Sequence, residues 1–270
     1  MLNGLYVATS GLVAQESRVN TISNNLANIN TTGFKRDRPV FSMYMPGDKR
    51  WPQSIIKSTV YNKSINSVVK LDDIYSDFSS GSLRETENKL DVALKNKDAF
   101  FAVETPFGIR FTRDGHFSLN SDGELVTKDG FHVLSSDYQN DPVITIPQVG
   151  ELFINDSVIT IPQDEELFIT ENGEILLDDL LQNQLYIVEF PEKHNLQKTG
   201  RNLYQAVEML PVASANPMVS QGYLETSNIN PVEEMVKMID ALRSFETYQK
   251  VIQTLDSVNE IASNQIGRIA

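Results

Sequence analysis

The side chains that could do chemistry are few and scattered. His116, His132 and His194 are the three histidines among 270 residues, and none stands at the spacing of a metal-ligand pair. His116 and His132 sit inside β-prone runs and read as ordinary strand residues. Asp122-Gly123-Glu124 echoes part of a calcium loop, but the remaining oxygen ligands are missing and the position suits a hairpin turn. The acidic groups Asp72-Asp73, Asp164-Glu165-Glu166, Asp178-Asp179 and Glu233-Glu234 read as solvated faces. The absence of cysteine removes thiolate nucleophiles, thiolate metal sites and disulfides together. No phosphate-cradling glycine loop, nucleophile elbow or metalloprotease helix motif occurs. The expectation is no catalytic residue, no metal and no cofactor, so that function must be carried by shape and surface.

The strongest pattern is an apolar seam at the N-terminus. Leu5, Leu12, Val19 and Leu26 fall seven apart, and Ala8, Ile22 and Ile29 fill most positions three further on, which predicts a helix with one narrow apolar face. Asn28, Asn30, Thr31 and Thr32 favour caps and turns, and Gly33 can take the left-handed conformation that ends helices, so the helix is expected to stop by about Asn30.

A seam needs a partner, and the other end of the chain offers one. Met235, Met238, Leu242, Phe245, Tyr248, Ile252, Leu255, Ala262, Ile266 and Ile269 follow steps of three and four, with Val236, Ile239, Val251, Val258 and Ile261 widening the stripe. Asn230-Pro231-Val232-Glu233 specifies the start of this helix: Asn230 as N-cap, Pro231 in the first turn and Glu233 where it can bond back to the cap. The fold class expected is α+β, with N- and C-terminal helices pairing as a coiled coil and an antiparallel β-rich body inserted between them. The boundaries expected are 1–35 for the first helix, 36–77 for an extended connector, 78–226 for the body and 227–270 for the last helix.

Within the body, 100–104, 109–113, 116–119, 124–127 and 131–134 are short β-prone runs separated by turn sequences, and they predict a meander. Later strands are expected at 167–170, 175–177 and 185–190. A tandem repeat occupies 143–169: Val143-Ile144-Thr145-Ile146-Pro147-Gln148 returns as Val158-Ile159-Thr160-Ile161-Pro162-Gln163, and Glu151-Leu152-Phe153-Ile154 as Glu166-Leu167-Phe168-Ile169. A copied strand unit lengthens a sheet while keeping its in/out alternation; it reads either as a neutral duplication or as an added surface for a neighbour. Trp51, in the proline-interrupted connector, reads either as cover for the domain's own core or as an anchor on a neighbouring subunit.

Three blocks carry a family resemblance. Ser23-Asn24-Asn25-Leu26-Ala27-Asn28 with Thr32-Gly33-Phe34-Lys35 resembles the N-terminal signature of the bacterial flagellar axial proteins, the rod, hook and hook-associated subunits. Gly81 to Val92, followed by Phe100-Phe101 and Phe111-Thr112-Arg113-Asp114-Gly115, resembles the central region of the basal-body rod proteins. Gln221-Gly222-Tyr223-Leu224-Glu225-Thr226-Ser227-Asn228-Ile229-Asn230 resembles their entry into the C-terminal helix. Leu196 to Tyr204 is similar to the family as well. The chain departs from it at Lys95-Asn96-Lys97-Asp98-Ala99, where rod proteins usually carry glycines; Asn96 is expected to supply the positive φ.

The resemblance implies a structural subunit that polymerises with copies of itself and with other rod subunits into the torque-transmitting shaft. It further implies passage through the flagellar type III export apparatus without a cleaved signal, and residence in the periplasmic rod. Asn230-Pro231-Val232-Glu233-Glu234-Met235 leans toward the proximal rod type, whereas Arg38-Pro39-Val40-Phe41 leans toward the distal one. The other reading kept open is a periplasmic binding module on the same scaffold that does not polymerise.

Composition agrees with these expectations. A formal charge of −13 argues against a nucleic-acid surface. The first fifty residues hold six basic and three acidic residues, so the acidity lies in the rest, an asymmetry suited to packing between neighbours or merely to solvated faces. No apolar run approaches the roughly 20 residues of a membrane span, so no membrane insertion is expected.

Overall fold

The computed structural model describes residues 2–44, 68–121, 123–136, 152–154, 157–159, 167–177, 180–191, 195–207 and 210–266. Trp51, His194, Asp164-Glu165-Glu166, Asp178-Asp179 and most of the tandem repeat lie outside them. The described residues give an α+β chain with two long helices, Leu2–Ala27 and Pro231–Ile266, and an antiparallel β-rich body.

The chain divides into two units. The first comprises residues 1–27, 37–75 and 230–270, so the two helices fall together with described parts of the segment expected to be a connector. Within the segment expected to be an extended connector, Arg36–Tyr44 and Val68–Asp77 form strands that pair with each other. The second unit comprises residues 28–36 and 76–229. The body thus captures the end of the N-terminal signature.

Within the second unit, the largest sheet among the described residues runs in the order Leu196–Gly200, Leu203–Ala206, Gly108–Thr112, Ala99–Thr105, His132–Val133, Leu125–Thr127, Phe117–Leu119. Ile187–Glu189 also pairs with Ala99–Thr105, and Val212–Ala213 pairs with Ile187–Glu189. The expected strands are present, but not as a simple meander. His132–Val133 returns to Ala99–Thr105, while Gly108–Thr112 pairs on its far side with Leu203 and Tyr204. The cause is in the side chains of Ala99–Thr105, an apolar run that buries both faces and must therefore be central. Ala99, Phe101 and Val103 face one core with Phe117, Leu125, Ile175 and Ile187. Phe100 and Ala102 face a second with Phe111, Phe190 and Tyr204. Edge-to-face ring contacts tie each core together, Phe101 on Phe117 at 5.1 Å and Phe100 on Phe190 at 5.5 Å between centroids.

A three-stranded sheet of Leu167–Ile169, Glu174–Leu177 and Leu180–Gln184 adds Ile169, Ile175 and Leu177 to the first core. Of the repeat's first copy, Leu152–Ile154 pairs antiparallel with Ser157–Ile159. Asn96 does not take the positive φ expected of it; among the described residues, Glu87, Arg201 and Asn202 are the non-glycine residues that do. Its side chain instead donates to Glu189 Oε1 (3.2 Å) and to the Asn216 carbonyl (3.0 Å), which holds the loop without a left-handed residue.

Candidate assembly surface

The N-terminal helix ends at Ala27, followed by turns, so the stop falls where the cap-forming residues predicted it. Gly33 is not the terminator. It does take φ +65°, but its task is a close approach: a Cβ there would stand 2.5 Å from the backbone of Arg113 and Asp114.

The two helices pack against each other within the first unit. The inner face of the C-terminal helix is Glu234, Met238, Ala241, Phe245, Tyr248, Ile252 and Leu255, buried or half-buried at alternating steps of four and three. On the N-terminal helix the buried positions are Ala8, Gly11, Ala14, Thr21, Ile22 and Asn25, while Leu5, Leu12, Val19 and Leu26 flank them half-buried; Ile29, beyond the helix, is half-buried too. Small residues inside allow close approach. A Cβ on Gly11 would lie 2.5 Å from the Tyr248 ring, so that ring is seated on the glycine.

Not all of the C-terminal stripe is used in this way. Met235 and Leu242, expected in the seam, are exposed. With Val232 (64% exposed), Val236 and Ile239 (50%) they form an outward apolar row at steps of three and four, and Val251, Val258 and Ile261 are exposed further along. Tyr6 and Val13, seven apart on the N-terminal helix, are exposed as well. One turn of an amphipathic helix normally leaves such positions polar.

A polar lock sits at the start of the C-terminal helix. Asn230 Oδ1 accepts from the amides of Val232 (3.0 Å) and Glu233 (3.3 Å), as an N-cap should. Glu233 Oε1 lies 2.5 Å from Lys237 Nζ, and the hydrogen bond from Lys237 holds this exposed carboxyl below its ordinary 4.5. Glu234 is not solvated, as its acidic neighbour had suggested: it is buried (1% exposed), because its position is on the inner face. Lys237 Nζ donates to its Oε1 at 3.0 Å, and Asn25 Nδ2 approaches its Oε2 at 3.5 Å. Partial burial pushes the Lys237 ammonium down, but the two carboxylates outweigh this and hold it above 10.5. Asn25, from the signature Ser23-Asn24-Asn25, is also buried; its amide donates to the Asp37 carbonyl and accepts from the Asp37 amide, both at 2.9 Å. Ser23 and Asn24 are exposed, and Asn28 is half-buried.

In the second unit, the blocks that carry the resemblance meet. Lys35 Nζ donates to Glu225 Oε1 at 2.7 Å and to the Ser79 carbonyl at 2.9 Å. Arg113 contacts Glu225 Oε2 through Nε (2.8 Å) and Nη2 (2.7 Å), and its other donors reach the carbonyls of Asn96, Ala99 and Leu94. All three side chains are buried. Burial pushes the Glu225 carboxyl up, but Arg113 and Lys35 together outweigh it and hold the group below its ordinary 4.5. Thr32 Oγ1 donates to Asp114 Oδ1 (2.5 Å), Asn202 Nδ2 to the Thr32 carbonyl (2.6 Å), and the Gly33 amide to the Glu225 carbonyl (2.8 Å). Phe34 is buried beneath Lys198, whose ammonium lies 3.7 Å from the ring centroid. Asn228 Oδ1 accepts from the Arg36 amide (2.8 Å) while its Nδ2 donates to the Asp77 carbonyl (2.7 Å). Arg113, Glu225, Asn202 and Asn228 have no local pattern in the sequence that marks them for burial, because their partners lie far away along the chain.

This arrangement is architectural. Among the described residues no group of three metal-ligating side chains comes together; His116 Nδ1 faces Asp91 Oδ1 at 2.8 Å, and the same oxygen accepts from Asn88 Nδ2 at 3.2 Å.

Comparison with known proteins decides the family. The profile for the flagella basal body rod protein matches residues 5–35, that for the flagellar hook protein FlgE/F/G D1 domain 96–177, and that for the flagellar basal body rod FlgEFG protein C-terminal region 220–265. The chain is 34% identical over 282 residues to the flagellar basal-body rod protein FlgG of Buchnera aphidicola subsp. Baizongia pistaciae, covering 96% of this chain and 97% of that one. The chain belongs to the flagellar basal-body rod protein family. It is also 30% identical to the flagellar basal-body rod protein FlgF of Mesorhizobium japonicum, covering 99% of each chain. To the flagellar hook-basal body complex protein FlhO of Bacillus subtilis it is 32% identical over the full length of both. This rod-family chain is a structural protein and not an enzyme. None of its described helices is long and apolar enough to cross a membrane.

Proposed function

We propose that the chain is a structural subunit of the flagellar basal-body rod, polymerising with copies of itself and with other rod subunits into the axial shaft that carries torque from motor to hook. The observation that carries this reading is the exposed apolar row Val232, Met235, Val236, Ile239 and Leu242 on a helix already packed on its other face. A surface of that kind lowers solubility unless a partner covers it. Neighbouring subunits set head to tail along a helical axis would cover it repeatedly without closing.

The seam residues Leu5, Leu12, Val19, Ile22, Leu26, Met238, Phe245, Ile252 and Leu255 then form the coiled-coil contact within a subunit, Met235 and Leu242 serve contacts between subunits, and Ile29, past the helix end, belongs to the body. The terminal helices order as subunits join, because burying their outward stripe adds the stabilisation that two isolated helices lack. The subunit reaches the rod through the flagellar type III export apparatus, keeping its N-terminus, and resides in the periplasmic part of the basal body.

Position along the rod is proposed as proximal, on the FlgF-like entry Asn230-Pro231-Val232-Glu233-Glu234-Met235. A distal position is favoured by a different observation, the 34% identity to FlgG from Buchnera. Deleting the gene and imaging basal bodies tests the whole reading. Truncated structures without hook or filament are expected, with the rod ending near the motor for a proximal subunit and nearly complete for a distal one. Intact hooks and filaments in the mutant would instead leave a binding module that does not polymerise.

A further inference from the structure

Residues 28–36 continue directly from the N-terminal helix, and a linker beside a mobile helix would be expected to share its mobility. Its bonding is that of a core. Lys35 is fully engaged by Glu225 and Ser79, Phe34 is buried, Gly33 is fitted against the Arg113 backbone with no room for a Cβ, and Arg36 is held by Asn228 through its amide. Withdrawing this segment would leave Glu225 with one of its two buried cations and the Lys35 site open. Breaking one member of a buried ionic cluster is strongly unfavourable, because the group left behind has lost both water and partner.

We propose that residues 28–36 are a strap buckled into the body of the free subunit before assembly, and that the knot it forms with Glu225 and Asn228 is the root from which both terminal helices order. The proposal rests on the rod reading only in naming assembly as the later event. Its physical content concerns chain entropy. Two helices joined through a long insertion must ordinarily meet the cost of closing that loop. Here the body closes it: the Gly33 amide on the Glu225 carbonyl and the Arg36 amide on Asn228 bring the ends of the insertion together inside one folded unit. Beyond the knot, the helix pair behaves as a hairpin with a short effective loop. Mobility in the free subunit therefore ends at Ala27 and not at Lys35, and the helices order outward from the polar lock of Asn25 and Glu234 toward Leu5 and Ala262.

Amide hydrogen exchange on the full-length free subunit tests this. The amides of Gly33 and Arg36 are expected to exchange within about tenfold of those in Ala99–Thr105, and at least about a hundredfold slower than those of residues 5–20. Lys35→Met should raise exchange at Gly33 and Arg36 by about a hundredfold while Ala99–Thr105 stays protected. Should that variant unfold the body, Thr32→Ala removes only the bond to Asp114 and should raise exchange at Gly33 by about tenfold. Gly33 and Arg36 exchanging as fast as residues 5–20 in the unaltered chain would overturn the proposal, as would a Lys35→Met chain with a protected strap. Because the experiment uses the free subunit, a loose strap refutes this inference even in a chain that builds the rod. Intact filaments in a deletion strain would refute the rod reading and leave the strap standing.

Discussion

Replacing Glu225 by glutamine keeps the shape of the knot and removes its charge. The carboxylate takes four contacts: Lys35 Nζ and the Gly81 amide on Oε1, and Arg113 Nε and Nη2 on Oε2. An amide can preserve the first pair through its oxygen, but must then turn its own N–H groups toward the guanidinium. Two charge-assisted bonds are lost and two buried cations remain without an anion between them. Breaking a buried pair in this way costs about 3–5 kcal/mol. At roughly 2–4 °C per kcal/mol for a unit of this size, Glu225→Gln should lower the melting temperature of the body by about 10 °C. The assay is thermal unfolding of the free subunit followed by near-ultraviolet circular dichroism, repeated from neutral pH downward. The sign follows from the lowered Glu225 value: its contribution is fully present above the ordinary 4.5 and is lost as pH falls through the depressed folded value. The unaltered chain should therefore lose stability over that acid window, and the difference between the two chains should shrink toward its lower end. A variant melting within about 2 °C of the parent at neutral pH, with a parallel acid dependence, would refute the reasoning.

Two glycine substitutions should differ sharply. Gly33→Ala meets backbone at 2.5 Å in a left-handed residue and should cost about 3 kcal/mol or more by denaturant unfolding of the free subunit, whereas Gly11→Ala meets only the movable Tyr248 ring, in a helix that orders on assembly, and should leave that unfolding curve unchanged. Ile239→Asp, at an exposed position, should leave the melting curve of the free subunit unchanged while abolishing swimming in a complemented deletion strain; a swimming variant would speak against the outward row as an assembly surface. Asn230→Ala removes the cap and should lower stability by about 1 kcal/mol, measured as lost helicity in the C-terminal segment; Asn230→Asp should restore it.

The helices were legible because their signals are local. A seven-residue recurrence of Leu5, Leu12 and Val19, and a cap at Asn230 followed by Pro231, need no knowledge of the rest of the chain. The strand runs were legible for the same reason, from β-prone segments bounded by turns. Their order was not, since Ala99–Thr105 pairs with Ile187–Glu189 across a long intervening stretch and nothing within either run names the other. The apolar stripe showed that the C-terminal helix has two faces to cover, but not that Met235 and Leu242 belong to the outer one; that depends on which way the inner 3–4 alternation is set by Glu234 and Ala241. Glu234 was misread because a glutamate beside a glutamate looks solvated until Lys237 and Asn25 are in place around it. The knot was least legible of all. Lys35 and Glu225 stand 190 residues apart and Arg113 and Glu225 112 apart, and charged residues in a sequence carry no mark of burial. Gly33 showed its left-handed conformation in advance but not its cause, the approach of the Arg113 backbone.

On the proposed rod function, neighbouring subunits cover the outward face of the C-terminal helix. The chain has no cysteine, so a single Ile239→Cys gives one reactive thiol in an otherwise silent protein. Maleimide labelling of that thiol should be rapid in the purified free subunit and suppressed by at least about tenfold in isolated basal bodies that contain the variant, as for a side chain buried at a specific interface. Equal labelling of the free subunit and the assembled particle would mean that this face stays open to solvent in the rod.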